Sequence, residues 1–351
     1  MTARRMYALG IEIGGTKLQI GLGSLRSETI DQLWRADIDA PRGAERIREQ
    51  IAEGVRELLE SRGLGRSDVA GIGIGFGGPV DADRGCTMTS HQVGGWDDFP
   101  LTQWVADTLA LRAVLQNDAD TAALAEAQYG AGRGFDPVFY ITVGSGIGGG
   151  LILGGKIYRG GGRGAAEIGH LRPGHLPKHL PYPGTTVEQI ASGFGITERA
   201  RQAVADRAAA ASFAAAHHGS PAADAFTTPA PESPASPLME LAGDDPGQIT
   251  TKLIATAAEA GDPYCRGLLN DATGTLGWAV AQVITLINPA RIVIGGGVSL
   301  MGDALFFDPV RAAARRHVFG PFADAAEIVP AALGEEVVIH GALALARDTF
   351  A

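Results

Sequence analysis

The chain has 351 residues, 45% of them hydrophobic and 19% charged. That length exceeds what one small core needs, so two α/β domains are expected and a mainly disordered chain is excluded. The formal net charge of −10 argues against nucleic-acid binding, which needs clustered Lys and Arg.

Cys86 and Cys265 are too few for a disulfide framework or a cysteine zinc cage, so a reducing, cytoplasmic setting is expected. No run of about 18 apolar residues occurs, and Met1–Met6 leads directly into a strand-like stretch; neither a membrane span nor a signal peptide is expected. The 50 glycines lie in clusters without a period, which points to backbone that must approach a ligand.

Tyr7–Ile13 is an apolar run ending in Gly14-Gly15, and Lys17–Leu22 resumes strand character, so the chain opens as a hairpin with a glycine turn. Ala44–Glu60 carries Ile47, Ile51, Val55, Leu58 and Leu59 at helical spacing. Val69–Phe76 alternates Gly with Ile as a strand in which glycine signals close packing or ligand approach, and it runs into Gly77-Gly78-Pro79. Leu101–Leu109 reads as a helix, Arg112–Leu115 as a short strand, and Ala119–Tyr129 as a helix that starts just after Asn117-Asp118. Val138–Val143 and Gly149–Leu153 repeat the opening pattern around Gly144-Ser145-Gly146. That duplication predicts two related halves facing one cleft.

From about 203 to 246 alanine runs give way to closely spaced prolines, which predicts a helix ending near His217 and then a mobile surface insertion. Thr250–Ala260 and Pro263–Ile287 read as helices, Arg291–Ile294 as a strand before Gly295-Gly296-Gly297, and Val338–Arg347 as the closing helix. Each glycine turn follows an apolar strand and can present backbone N–H groups to phosphate oxygens. Gly14-Gly15-Thr16-Lys17 alone is as readily a plain hairpin. A second turn opposite it would let the halves clamp a triphosphate chain.

Five segments in order resemble the motifs of the ROK family of sugar kinases and repressors. They are Ile11–Lys17, Gln116–Glu126, Thr142–Gly150, Ala165–His170 and Ile294–Val298. The resemblance runs from about Tyr7 to Leu345 around the proline-rich insertion. It implies the α/β actin-like ATPase (ribonuclease H-like) fold, with residues 1–117 and the helix 338–351 in one lobe and 118–337 in the other. It also implies transfer of the ATP γ-phosphoryl group to a hexose hydroxyl, and a homodimer.

On the residues alone Asp118 reads as a helix cap; the resemblance makes it the general base that orients and deprotonates a sugar hydroxyl. By the same resemblance Gly78, Asn117, Glu167, His170 and Glu188 hold the sugar. Gly14, Gly15, Thr16, Lys17, Gly144, Ser145, Gly146, Gly295 and Gly296 bind ATP phosphates. Glu12 stands where relatives usually carry Asp near magnesium, which it would hold through water, and Ser145 stands where Thr is usual.

Relatives follow Gly-His with a cysteine cluster that binds structural zinc, whereas Leu171–Glu188 holds no cysteine; no zinc is expected, the alternative ligands being His170, His175 and His179. Repressor members carry a DNA-binding segment before the kinase-like part, and here the first phosphate motif starts only about ten residues in. A glucose kinase is therefore expected first. Kinases for other hexoses or N-acylated amino sugars come next, and a catalytically weak sugar-binding regulator last.

Overall fold

The structure is a computed structural model that describes residues 6–90, 92–161, 164–174, 185–216 and 236–351. Two five-stranded sheets share one strand order. The first, β3-β2-β1-β4-β7, is built from β1 (Tyr7–Ile13), β2 (Lys17–Ser24), β3 (Gln32–Asp37), β4 (Val69–Phe76) and β7 (Ala113–Asn117). The short strands β5 (Val80–Asp81) and β6 (Cys86–Thr87) pair with each other beside it. The second sheet, β10-β9-β8-β11-β12, uses β8 (Val138–Val143), β9 (Ile147–Leu153), β10 (Lys156–Ile157), β11 (Arg291–Gly295) and β12 (Glu327–Pro330). In each sheet the first three strands in sequence form an antiparallel meander and the last two join in parallel. This is the duplication expected from the sequence and the actin-like ATPase fold.

Helix α1 (Gly43–Ser61) buries Ile47, Ile51, Val55 and Leu58 against the first sheet. The next two helices are α2 (Leu101–Leu109) and α3 (Asp118–Gln128). Then come α4 (Val187–Ala191), α5 (Gly193–Ala216), α6 (Ser236–Leu241), α7 (Thr251–Glu259), α8 (Pro263–Ile287) and α9 (Asp308–His317). Finally α10 (Val337–Phe350) ends the chain. Helices α4 to α9 contribute to the core of the second sheet, where Leu238, Ile254 and Leu276 are fully buried.

The helix that leaves each sheet crosses to the other. α3 follows β7 but packs on β8 and β9, while α10 follows β12 but packs on β1 and β4. The two helices meet where a Cβ on Gly341 would fall on the Thr121 carbonyl. The glycines of β4 serve this crossing, because a Cβ on Gly73 would fall on the Ala342 carbonyl. Of the two roles glycine alternation allowed there, close packing is the one observed.

Three expectations change. Helix α3 begins at Asp118, and its cap is Asn117, whose Oδ1 accepts the N–H groups of Ala119 (2.8 Å) and Asp120 (3.3 Å). The span expected to be a mobile insertion shrinks at its far end: Leu238 in α6 has no exposed surface and Ala242 is buried, because both insert into the second core. The segment 217–235 lies outside the described residues. The glycine turn expected at Gly295–Gly297 narrows to Gly296, at φ 89°, because Gly295 ends β11 and Gly297–Met301 is a 3₁₀ helix. Strands β3, β10 and β12 were missed because they are short or exposed edges with little apolar alternation. Among the described residues no helix is long and apolar enough to cross a membrane.

Candidate active site

Strands β1, β4, β7 and β11 all end at one cleft, the place where open parallel sheets bind ligands. Asn117 closes β7 there. Its Oδ1 caps α3 and its Nδ2 donates to the Gly78 carbonyl at 3.0 Å, so one amide ties the helix start to the turn after β4. Asp118 follows, with Oδ1 accepting the Ala119 N–H at 2.8 Å. Its side chain keeps a path to solvent but lies deep in the cleft. Burial pushes its carboxyl up to about 6, the Glu167 charge adds to the rise, and the Ala119 hydrogen bond opposes it.

On one side of Asp118 lies a cavity of about 400 Å³ lined by Glu12, Lys17, Thr142, Gly295 and Gly296. Glu12 is 9% exposed and accepts a 2.7 Å hydrogen bond from Gln19 Nε2. Burial raises its carboxyl to about 7, with Lys17 and Gln19 opposing and the Asp118 and Glu335 charges reinforcing. Lys17 Nζ, 4.0 Å from the exposed Glu335, is the cation facing these acids. Among the described residues no three His, Cys, Asp or Glu side chains stand close enough to hold a metal ion by themselves, so a divalent cation in this cavity would need water and phosphate oxygens as its other ligands. Gly296, at φ 89°, takes a backbone conformation that favours glycine as the chain turns past this cavity.

The cavity meets a wider one of about 920 Å³ at Gly297 and Leu300. Gly144 and Ser145 line the second, as do Phe194 and Leu300, which are 69% and 84% exposed. Both hairpin turns close on themselves, Gly14 N–H to Lys17 O at 3.1 Å and Gly144 N–H to Gly146 O at 2.9 Å. Gly15 tucks under the Gln92 side chain, and Thr16 is exposed.

On the other side of Asp118 is a pocket of only about 20 Å³, lined by Asn117, Asp120, Gly149, Arg159 and Glu167. Ala166, a left-handed non-glycine residue at φ 65°, presents its carbonyl to Gly149 and sets Glu167 over the pocket. Of the expected sugar ligands, Asn117 and Glu167 meet here, and Gly78 adjoins through Asn117. His170 is exposed and lines neither the pocket nor the 400 Å³ cavity. Glu188 turns to the second hairpin, its Oε2 accepting the Ile147 N–H at 2.7 Å. His175 and His179 lie outside the described residues.

Sequence reasoning missed Asp120, Thr142, Phe194 and Leu300. Asp120 had a signal, since it stands three residues after Asn117 and so shares its helix face. Exposed Phe194 and Leu300 had none.

Paired α/β sheets of one topology, a cleft at their strand ends and a half-buried carboxylate in it are those of the actin-like ATPase fold, and with the likenesses that follow the class is an ATP-dependent sugar kinase. The profile of the ROK family matches residues 8–349, and the chain belongs to that family. It is 30% identical over 338 residues to a glucokinase of Halalkalibacterium halodurans, covering 95% of this chain and 93% of that one. It is 32% identical over 343 residues to a glucokinase of Streptomyces coelicolor, covering 97% of each. Among solved structures, a ROK family glucokinase from Streptomyces griseus in complex with glucose and AMPPNP superposes with a TM-score of 0.75 at 30% identity. The match covers 97% of this chain and 99% of that one.

Proposed function

We propose that the chain phosphorylates a hexose, glucose before other sugars, with Asp118 as general base. The observation that supports this reading is the place of Asp118. It lines the 400 Å³ cavity with Glu12 and the Gly295–Gly296 turn, while Asn117 beside it lines the pocket with Glu167. On this reading the sugar spans from that pocket to Asp118 and presents the reacting hydroxyl to its carboxylate. At neutral pH a carboxyl titrating near 6 is mostly ionised, so it would accept the hydroxyl proton as the hydroxyl oxygen bonds the γ-phosphorus and the bond from that phosphorus to the departing ADP oxygen breaks, a role worth about 10²–10⁴ in rate.

ATP, when bound, would supply the phosphoryl group, and its magnesium would neutralise charge on the phosphate oxygens. Glu12 would hold the metal through water, and Lys17 would pair with phosphate oxygens. Gly15, Thr16, Ser145 and Gly146 would offer backbone N–H groups from opposite sides of the cleft. The 920 Å³ cavity beyond Gly297 is large enough for a nucleoside, with Phe194 and Leu300 as its apolar walls.

A coupled ADP-release assay across hexoses and amino sugars, run on the full chain and on Asp118→Asn, tests the proposal. Sugar-dependent ADP release that falls at least ~10²-fold in the variant is expected. Near-normal turnover by the variant, or ADP release that ignores the sugar, would overturn it.

A further inference from the structure

Asp120 takes no part in the chemistry assigned above, yet it is 5% exposed, and its Oδ1 is buried without a hydrogen-bond partner. A buried, unpaired carboxylate oxygen is expensive and calls for a missing donor. It faces the 20 Å³ pocket together with Glu167, and Asp118 adds a third acid one residue beyond Ala119. Arg159 is the cation at this pocket; its Nη1 pairs with Asp83 at 2.9 Å, and it gives Asp120 Oδ1 no hydrogen bond. Burial first, then the Glu167 and Asp118 charges, push the Asp120 carboxyl up to about 7, with Arg159 opposing.

The ligand group must therefore be small, donor-rich and positive. A site of about 20 Å³ holds one group the size of a water molecule, since such a group needs roughly 10–15 Å³. A hydroxyl fits but brings one donor and no charge. An ammonium fits, brings three donors and offsets the crowded acids. An N-acyl group brings one N–H donor and no charge.

We propose that Asp120 and Glu167 form a subsite for a protonated amino substituent, so that unacylated aminohexoses are phosphorylated in preference to their N-acylated counterparts. This rests on the sugar-kinase reading of the same cleft.

The experiment measures kcat/KM at neutral pH for glucose, glucosamine, mannosamine, 3-amino-3-deoxyglucose and the N-acetyl forms, on the full chain and on Asp120→Asn. At least one aminohexose should exceed its N-acetyl form by about 10-fold or more and match or exceed its parent hexose. In Asp120→Asn the ratio of that amine to its parent should fall roughly 5- to 10-fold, mainly through KM. Amines no better than their N-acetyl forms would overturn the subsite, even if the variant failed to fold. Equal losses for amine and parent would overturn it too, by reducing Asp120 to a structural part. If no sugar is phosphorylated, the kinase reading itself fails. Calorimetric titration with the same amines then decides the subsite: binding weakened by Asp120→Asn supports it, and no binding sinks it.

Discussion

The hairpins β1–β2 and β8–β9 occupy the same place in two sheets of the same order, and they carry different chemistry. Glu12 and Thr142 sit two residues before the first glycine of their turns, and both line the 400 Å³ cavity. Glu12 is braced by its cross-strand partner Gln19, whereas the partner of Thr142 is Gly148. Gly14, Gly15, Thr16 and Lys17 lie between the paired Ile13 and Leu18, but only Gly144, Ser145 and Gly146 between Val143 and Ile147. The longer turn is what adds Lys17. The shorter one is backed from behind by Glu188 on the Ile147 N–H. A duplicated scaffold thus gives two backbone turns at equivalent places, while an acid and a cation are placed on only one of them.

If the difference between the hairpins is functional, the variants around the cleft separate by size of effect. Asp118→Asn, between the two sheets, should show the largest, a fall in turnover of about 10²-fold or more with sugar binding retained, read by steady-state kinetics and calorimetry.

Gly341→Ala tests the crossing that holds the hairpins face to face. Its Cβ meets the Thr121 backbone, which cannot step aside, so a loss of about 3 kcal/mol in denaturant unfolding is expected from overpacking. A loss under roughly 1 kcal/mol would show that the helices slide freely.

Glu12→Gln should lower turnover by about 10-fold or more at saturating magnesium, and Thr142→Val by only a few-fold. Equal effects would erase the asymmetry. In the wild type, kcat/KM should fall as pH drops from about 7 through about 6, where Glu12 and then Asp118 gain protons. The stability consequence has the opposite sign. A carboxyl whose value rises on folding favours the fold when neutral, and that stability is lost as pH rises through the folded value. The stability gain of Glu12→Gln over wild type should therefore grow between pH 4.5 and about 7 and then level off, at an order of 1 kcal/mol.

The smallest effects are expected away from the hairpins. Replacing 220–234 by a short Gly/Ser linker should leave turnover within a few-fold, because loop closure depends only weakly on length. Elemental analysis should find no stoichiometric zinc, and a chelator followed by magnesium should restore full activity. One zinc per chain, with activity lost on its removal, would show that the histidines rebuilt the site.

The strands that end in glycine, the helices α1, α8 and α10, and the Asn117-Asp118 junction were legible in the sequence, because each depends on neighbours a few residues away. Periodic apolar residues make their own helix, and a polar pair after an apolar strand marks the strand's end. The family motifs then named Asp118, Asn117 and Glu167, which the fold brings to one cleft.

What only the tertiary structure decided involves partners far apart in the chain. Sequence could not say that the β4 glycines serve α10 instead of a ligand, since Gly73 and Ala342 are neighbours only after the helices cross. Nor could it turn Glu188 toward Ile147 or leave Asp120 Oδ1 buried without a partner. Local pattern fixes which backbone a segment adopts. Which side chains share a low-dielectric space, and so which charges are raised, paired or left waiting for a ligand, is set by long-range packing.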